Sequence, residues 1–271
     1  MAFHVMDEAA RCLGCKKPRC QEGCPIKTDI PYIEWHIPSN LTTKAVQLIW
    51  SGGSYNRSEP DGYEVAPIRR YLNAKGIAVV TLCYRHPRPQ RVAKHTTAWQ
   101  DAQRAIRIVR HEAPARGLDP NRIGIMGSSA GGHLAILCAT SSRVNAYYPI
   151  DDIDGESCAV QWAIPIYPAY SLTDGQENPN KHGGNDMGDA LAPEFVFDPS
   201  TPPMLLMHGD GDGWSAMNSV RTWEQLRRMG IQGELHTLVK RGHCFQKKAS
   251  PGTASYTRME RVRDFIFASA K

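Results

Sequence analysis

The stretch that most constrains this chain runs Gly127-Ser128-Ser129-Ala130-Gly131-Gly132-His133, between the apolar segment Arg122 to Met126 and the helix-favouring run Leu134 to Cys138. G-x-S-x-G in a strand, tight turn, helix setting holds the central serine in a strained backbone conformation that lifts its hydroxyl clear of the sheet. Small residues at 127 and 131 are required because the neighbouring backbones pass too close for a Cβ. The turn also points the first N–H groups of the following helix, which lack intrahelical partners, at the space above Ser129. An oxyanion formed there would be stabilised.

The rest of the chain supplies the sheet that such a turn needs. Short apolar runs between turn residues predict strands at 45–50, 77–84, 122–126, 160–166, 204–207 and 234–239. Helices are expected between them. One runs from Thr97 to Ala113, where Ala98, Ala102, Ala105 and Val109 share a face and Arg104, Arg107 and Arg110 are expected to point to water. A second covers 216–229, and a third occupies the C-terminus with Met259, Val262 and Ile266 on one stripe. Strands separated by helices imply right-handed crossovers and an α/β fold, a mostly parallel sheet with helices on both faces. The polar stretch 171–200, rich in Gly, Pro and Asn, reads as a surface excursion beside the rim that carries Ser129.

A serine hydroxyl becomes a useful nucleophile only with a histidine base and a carboxylate to orient it, here in the chain order Ser, Asp or Glu, His. Both partners follow predicted strands, at the C-terminal edge where open α/β sheets place their sites. His208-Gly-Asp-Gly-Asp212 comes after the strand ending at Met207, and Gly242-His243 after the strand ending at Val239. Asp212 is preferred to Asp210 because it lies deeper in the loop, Asp210 being assigned to the turn. His133 and His208 are read as structural. The expected catalytic set is therefore Ser129, Asp212 and His243. Oxyanion donors are expected at the amides of Ala130, Gly53 and Ser54, the last two in the loop Trp50-Ser-Gly-Gly-Ser-Tyr55. Tyr55, Trp162, Trp214 and Phe245 are candidate pocket walls.

Composition narrows the alternatives. With 41% apolar and 22% charged residues in 271, the chain is an ordinary globular one, and no apolar run approaches the ~20 residues needed to cross a bilayer. The net charge of +5 comes from 32 basic and 27 acidic residues scattered without a basic block, which argues against nucleic-acid binding. No charged region followed by an apolar core opens the chain, so a cytoplasmic, thiol-reducing setting is expected. Four of the eight cysteines, Cys12, Cys15, Cys20 and Cys24, crowd together in the spacing C-x2-C-x4-C-x3-C-P. That spacing suits an iron-sulfur cluster and, less well, zinc.

With these pieces in place, residues 43–271 resemble the α/β-hydrolase esterases, in particular acetylxylan esterases and other bacterial carbohydrate-ester hydrolases. The likeness is carried by Ser51-Gly-Gly-Ser-Tyr55, Tyr84-Arg85, Asp101-Ala-Gln-Arg-Ala-Ile106, Asp119-Pro-Asn-Arg-Ile-Gly124, Gly127 to His133, His208 to Asp212 and Gly242-His243. It carries the family triad onto Ser129, Asp212 and His243. It implies a serine esterase that works through an acyl-enzyme, without a cofactor, on a small-molecule or oligosaccharide ester such as acetylated or feruloylated plant carbohydrate. Ser54 stands where the family has a third glycine, and Ser51 where it often has histidine. The two antiparallel strands that normally open this fold have no evident place, so the sheet is expected to lack its first strands and to leave an edge that invites a dimer partner.

Residues 7–33 instead resemble the start of the iron-sulfur domain of the glutamate synthase small subunit. The further cysteines of that domain are not found, so the segment is read as a fused fragment rather than a working cluster. The chain accordingly divides into a Cys-rich segment, 1–40, and a hydrolase domain, 41–271. A peptidase on the same fold, and an electron-transfer or docking protein using the N-terminal cysteines, are the rival readings.

Overall fold

The computed structural model describes residues 4–7, 28–174, 187–248 and 253–270. Strand β1 (His4–Asp7) is followed by β2 (Tyr32–His36), β3 (Val46–Trp50), helix α1 (Ala66–Ala74), β4 (Ala78–Cys83) and α2 (Thr96–Glu112). The strand β5 (Ile123–Ser128) then leads directly into α3 (Ala130–Thr140), with β6 (Trp162–Ile166) beyond it. A small antiparallel pair, β7 (Leu172–Asp174) and β8 (Met187–Leu191), precedes β9 (Met204–Gly209), α4 (Met217–Arg228), β10 (Gly233–Leu238) and α5 (Ala254–Ser269).

Eight strands form one sheet in the order β1-β2-β4-β3-β5-β6-β9-β10. From β4 to β10 every neighbouring pair is parallel, so the C-terminal ends of β3, β5, β6, β9 and β10 share one rim. Every residue of β3, β4, β5, β6 and β9 is buried, as expected of parallel strands covered on both faces. The two-residue alternation sorts their side chains between two cores. Val46, Leu48, Val80, Leu82 and Ile125 pack under α2 and α3, whereas Ile49, Val79, Met126 and Ile164 pack under α1 and α5.

Two expectations are corrected. The sheet does not lack its opening strands: Tyr32–His36 pairs antiparallel with β4, and β1 pairs parallel with β2. Residues of the Cys-rich segment supply them, so the sheet begins before position 41. Trp35 and Ile33, buried on the α2 side of the sheet, are the apolar payload that holds β2 in place. Cys12, Cys15, Cys20 and Cys24 lie outside the described residues.

The second correction concerns α2. Arg104, Arg107 and Arg110 do not point to water but are buried beneath the segment 144–160. Arg104 makes paired bonds to Asp151, at 2.7 and 2.6 Å, and reaches Asp154 at 2.9 Å. Arg107 donates to the carbonyl of Glu156, and Arg110 to those of Pro120, Ser157 and Ala159. Amphipathic spacing describes the face toward the sheet but says nothing of a loop folding over the other face. Asp154 is buried, and its partners include Tyr147 and the amide of Ile150. Arg104→Ala is expected to cost about 3 kcal/mol in urea denaturation, because it strands a buried carboxylate. A loss under about 1 kcal/mol would show that solvent screens the pair as it does a surface one.

Candidate active site

Ser129 sits between β5 and α3 with φ 56° and ψ −121°, a conformation that L-residues adopt only when their surroundings enforce it. The enforcement comes from close packing. A Cβ on Gly127 would lie 2.1 Å from the Gly131 carbonyl and 2.4 Å from Trp50 Nε1, and one on Gly131 would lie 2.4 Å from the Ser51 carbonyl. Trp50 Nε1 donates to the Gly131 carbonyl at 2.7 Å, tying the first turn of α3 to the end of β3. Register does the rest, since Trp50 stands opposite Gly127 and brings the loop after β3 beside Ser129.

The structure brings Ser129, His243 and Asp212 together from the ends of β5, β10 and β9. His243 Nε2 lies 2.8 Å from Ser129 Oγ, and His243 Nδ1 lies 2.8 Å from Asp212 Oδ2. A carboxylate can only accept, so Nδ1 carries the proton and Nε2 presents its lone pair to the hydroxyl. Asp212 also accepts from the amide of Trp214 at 2.8 Å. Burial alone would push the Asp212 carboxyl up, but hydrogen bonds from His208 and His243 outweigh it and hold the group at about 2. His208 is structural, its ring fixed by Ser219 Oγ and the Trp214 carbonyl at 2.8 Å each. Asp210 caps the turn by accepting from the amide of Lys240.

Ala130 opens α3, so its amide is among those without an intrahelical partner. Across from it the loop after β3 is shaped by positive φ at Gly53 (99°), Ser54 (54°) and Tyr55 (62°). Its amide at Gly52 is committed to Glu64 Oε2 at 2.8 Å, and its Gly52 carbonyl accepts from the Tyr84 hydroxyl at 2.7 Å. Gly53 and Ser54 follow at the edge of the cleft, beside Ser129.

Two residues that the sequence reading missed frame this loop. Glu64 is buried, and its second oxygen accepts from the Tyr167 hydroxyl at 3.0 Å. Burial raises its carboxyl above the ordinary value, against the hydrogen bonds from Gly52 and Tyr167 that favour the charge. The Tyr167 ring in turn packs edge-on against His243, with centroids 4.8 Å apart. Tyr167 follows β6 at the shared rim and was open to the same end-of-strand reasoning that found Asp212 and His243. Nothing in the local sequence marks Glu64.

The cleft above Ser129 has a volume of about 460 Å³, and Arg57, Tyr63, Trp214 and Cys244 line it with Gly53 and Ser54. Trp214 is thus a wall as expected. The other three aromatic candidates are not. Trp162 is fully buried and donates to Gln47 Oε1, Phe245 packs on Tyr167 in the α5-side core, and Tyr55, at the end of the loop after β3, is buried. The Tyr55 hydroxyl is 2.7 Å from His133 Nδ1, and His133 Nε2 is 3.0 Å from Glu194 Oε1. Tyr55, His133 and Glu194 thereby form a second, largely buried polar cluster, on α3 one turn beyond Ser129.

Comparison with known proteins now decides the family, because the BD-FAE family profile matches residues 34–224, well over half of the chain. The chain belongs to the BD-FAE family. A second profile, dihydropyrimidine dehydrogenase domain II, 4Fe-4S cluster, matches residues 2–56 of this BD-FAE chain. Within residues 2–56, Tyr32–His36 and Val46–Trp50 are strands of the eight-stranded sheet. Among curated proteins, an acetylxylan esterase of Xylanibacter ruminicola is 26% identical over 77% of the chain and 42% of its own length. The probable carboxylic ester hydrolase LipM of Mycobacterium tuberculosis is 26% identical over 73% of the chain and 49% of its own length. The BD-FAE chain thus spans less than half of each.

Among solved structures, the acetyl ester-xyloside bifunctional hydrolase from Caldicellulosiruptor lactoaceticus has a TM-score of 0.72 and 26% identity, with 88% of both chains covered. Apo esterase 2 of Thermogutta terrifontis has a TM-score of 0.71 at 23% identity, covering 90% of this chain and 91% of that one, a likeness of fold. Among the described residues no helix is long and apolar enough to cross a membrane.

The depressed Asp212 carboxyl has a consequence for stability. Its folded value of about 2 lies below the ordinary 3.8, so the unfolded chain takes up this proton first as pH falls. Ionised Asp212 therefore stabilises the fold above about pH 4, and that contribution disappears toward pH 2. The difference in unfolding free energy between the native chain and Asp212→Asn is expected to narrow by about 2 kcal/mol between pH 5 and pH 2. Denaturant titrations at a series of pH values measure it, and a difference independent of pH would contradict the assignment.

Proposed function

We propose that this chain is a serine carboxylic-ester hydrolase acting through an acyl-enzyme on acetylated or feruloylated plant carbohydrates, with Ser129, His243 and Asp212 as its catalytic triad. The single observation that carries the reading is the continuous path from Asp212 Oδ2 to His243 Nδ1 and from His243 Nε2 to Ser129 Oγ, at 2.8 Å for each step. Nothing in a purely structural role asks for a strained serine, a correctly oriented imidazole and an ionised carboxylate in line above an open cleft.

In this reading Ser129 Oγ attacks the ester carbonyl as His243 Nε2 takes its proton. The imidazolium so formed is stabilised by Asp212, which stays a carboxylate throughout. Charge developing on the carbonyl oxygen is met by the amides of Ala130, Gly53 and Ser54, each well-placed donor being worth roughly 3–4 kcal/mol. His243 then returns the proton to the leaving alcohol, and water repeats the sequence on the acyl-enzyme. Every proton and bond in this cycle is accounted for by the chain, the ester and water, so no cofactor is required. The N-terminal cysteines take no part, and that segment is a fused fragment.

A carbohydrate ester is supported by the names of two likenesses, an acetylxylan esterase and an acetyl ester-xyloside hydrolase. Trp214 and Tyr63 at the cleft add flat apolar surfaces against which a sugar ring can pack. A cytoplasmic setting completes the reading, in keeping with the free cysteines Cys83, Cys138, Cys158 and Cys244.

Ser129→Ala is expected to lower kcat for p-nitrophenyl acetate by about 10⁴-fold or more while KM changes little, because only the reacting group is lost. The same variant should fail on acetylated xylan and methyl ferulate. Full activity in Ser129→Ala would remove the nucleophile and with it the proposal.

A further inference from the structure

The polar cluster on α3 has the composition and convergence of a metal site. His95 precedes α2, His133 stands one turn after Ser129 on α3, and Glu194 comes from the excursion after β8. One ligand atom from each lies within 4.8 Å of the other two. Both histidines are buried, and the Glu194 side chain keeps one-fifth of its surface open to solvent. Glu194 Oε1 is shared by two imidazoles, 3.0 Å from His133 Nε2 and 3.2 Å from His95 Nδ1.

Only one of those contacts is a hydrogen bond. His95 Nδ1, buried and 3.2 Å from the same carboxylate oxygen, makes a charge contact there but completes no hydrogen bond. A simple polar network would have satisfied it. The Tyr55 hydroxyl, able to donate or accept, holds His133 Nδ1 at 2.7 Å and so directs Nε2 to the same point. An outer partner on the second ring nitrogen is the usual way a ligating histidine is oriented. Two imidazoles and a carboxylate are a zinc ligand set, and bond lengths of about 2.0–2.2 Å place tetrahedral ligand atoms roughly 3.3 Å apart, close to the two spacings at Oε1, while the two ring nitrogens, within 4.8 Å of each other, would draw together on the ion.

We propose that His95, His133 and Glu194 bind a divalent cation of the zinc class, with solvent completing the coordination on the open side of Glu194. The ion is structural. It clasps the start of α2, the helix α3 that follows Ser129 and the excursion after β8, and its ligands are not among the residues lining the cleft. Neither the proton path from Asp212 to Ser129 nor the esterase reading depends on it.

The test uses the full chain with Cys12, Cys15, Cys20, Cys24 and the cleft-lining Cys244 changed to Ser, so that neither the N-terminal thiolates nor the one at the cleft contribute, after removal of metal by a chelator. Calorimetry with Zn²⁺ is expected to show one equivalent bound, and thermal unfolding a rise of about 5 °C at a hundredfold excess over Kd. Co²⁺ should give visible bands of nitrogen and oxygen coordination. His95→Ala and Glu194→Gln should each weaken binding by more than about 100-fold, beyond what loss of an outer-shell contact costs. Absence of binding, or binding that survives both substitutions, would overturn the site. Should the variants lose their fold, proton NMR of the Co²⁺-loaded parent decides: two paramagnetically shifted imidazole rings are expected, and none would overturn the proposal.

Discussion

One close contact governs this molecule: the carbonyl of Gly131 resting on the indole of Trp50, at a distance that neither Gly127 nor Gly131 could permit with a side chain. Because the contact is buried, it acts as a fixed point between β3 and α3. From it follow the positive φ of Ser129, the exposure of its hydroxyl at the rim and the approach of the loop after β3. The strain at Ser129 persists only because packing on both faces of the sheet over-determines it. A sheet with one open face would relax such a turn.

The same rim gathers the side chains that stand in line with Ser129. Asp212 and His243 are held by each other and by their surroundings, since the amide of Trp214 and, at 3.4 Å, His208 also fix the carboxylate while the Tyr167 ring flanks the imidazole. Glu64 joins this pair to the loop after β3, accepting from Gly52 in that loop and from Tyr167 beside His243. A buried carboxylate in that place is costly, and its two hydrogen bonds offset the cost only by keeping the loop and the ring where they are. The alignment of Asp212, His243 and Ser129 therefore has a physical frame that runs through Glu64, Tyr167 and the loop after β3.

Much of this was legible before any coordinates. Parallel, fully buried strands announce themselves as short apolar runs, and β3, β4, β5, β6 and β9 fall where such runs lie, as does the partly exposed edge strand β10. The end-of-strand rule located Ser129, Asp212 and His243 because chemistry at a parallel sheet collects at one edge. What escaped is tertiary. Strand β2 is a five-residue segment inside a Cys-rich zone, and its pairing with β4 has no local signature. Arg104, Arg107 and Arg110 look solvated on a helical wheel, yet the segment 144–160 covers them. Tyr55, Trp162 and Phe245 were misplaced as pocket walls because position near a strand end does not say which way a ring turns. Glu64 and Glu194 carry no sequence signal, since their roles exist only through the loops they meet.

Covalent labelling tests the shared rim most directly. Diethyl p-nitrophenyl phosphate should release one equivalent of p-nitrophenol per chain and leave a single diethylphosphoryl group, which tandem mass spectrometry should place on Ser129. His243→Ala should abolish that reaction while leaving the fold intact. Label on any other residue, or none on a properly folded chain, would contradict the account.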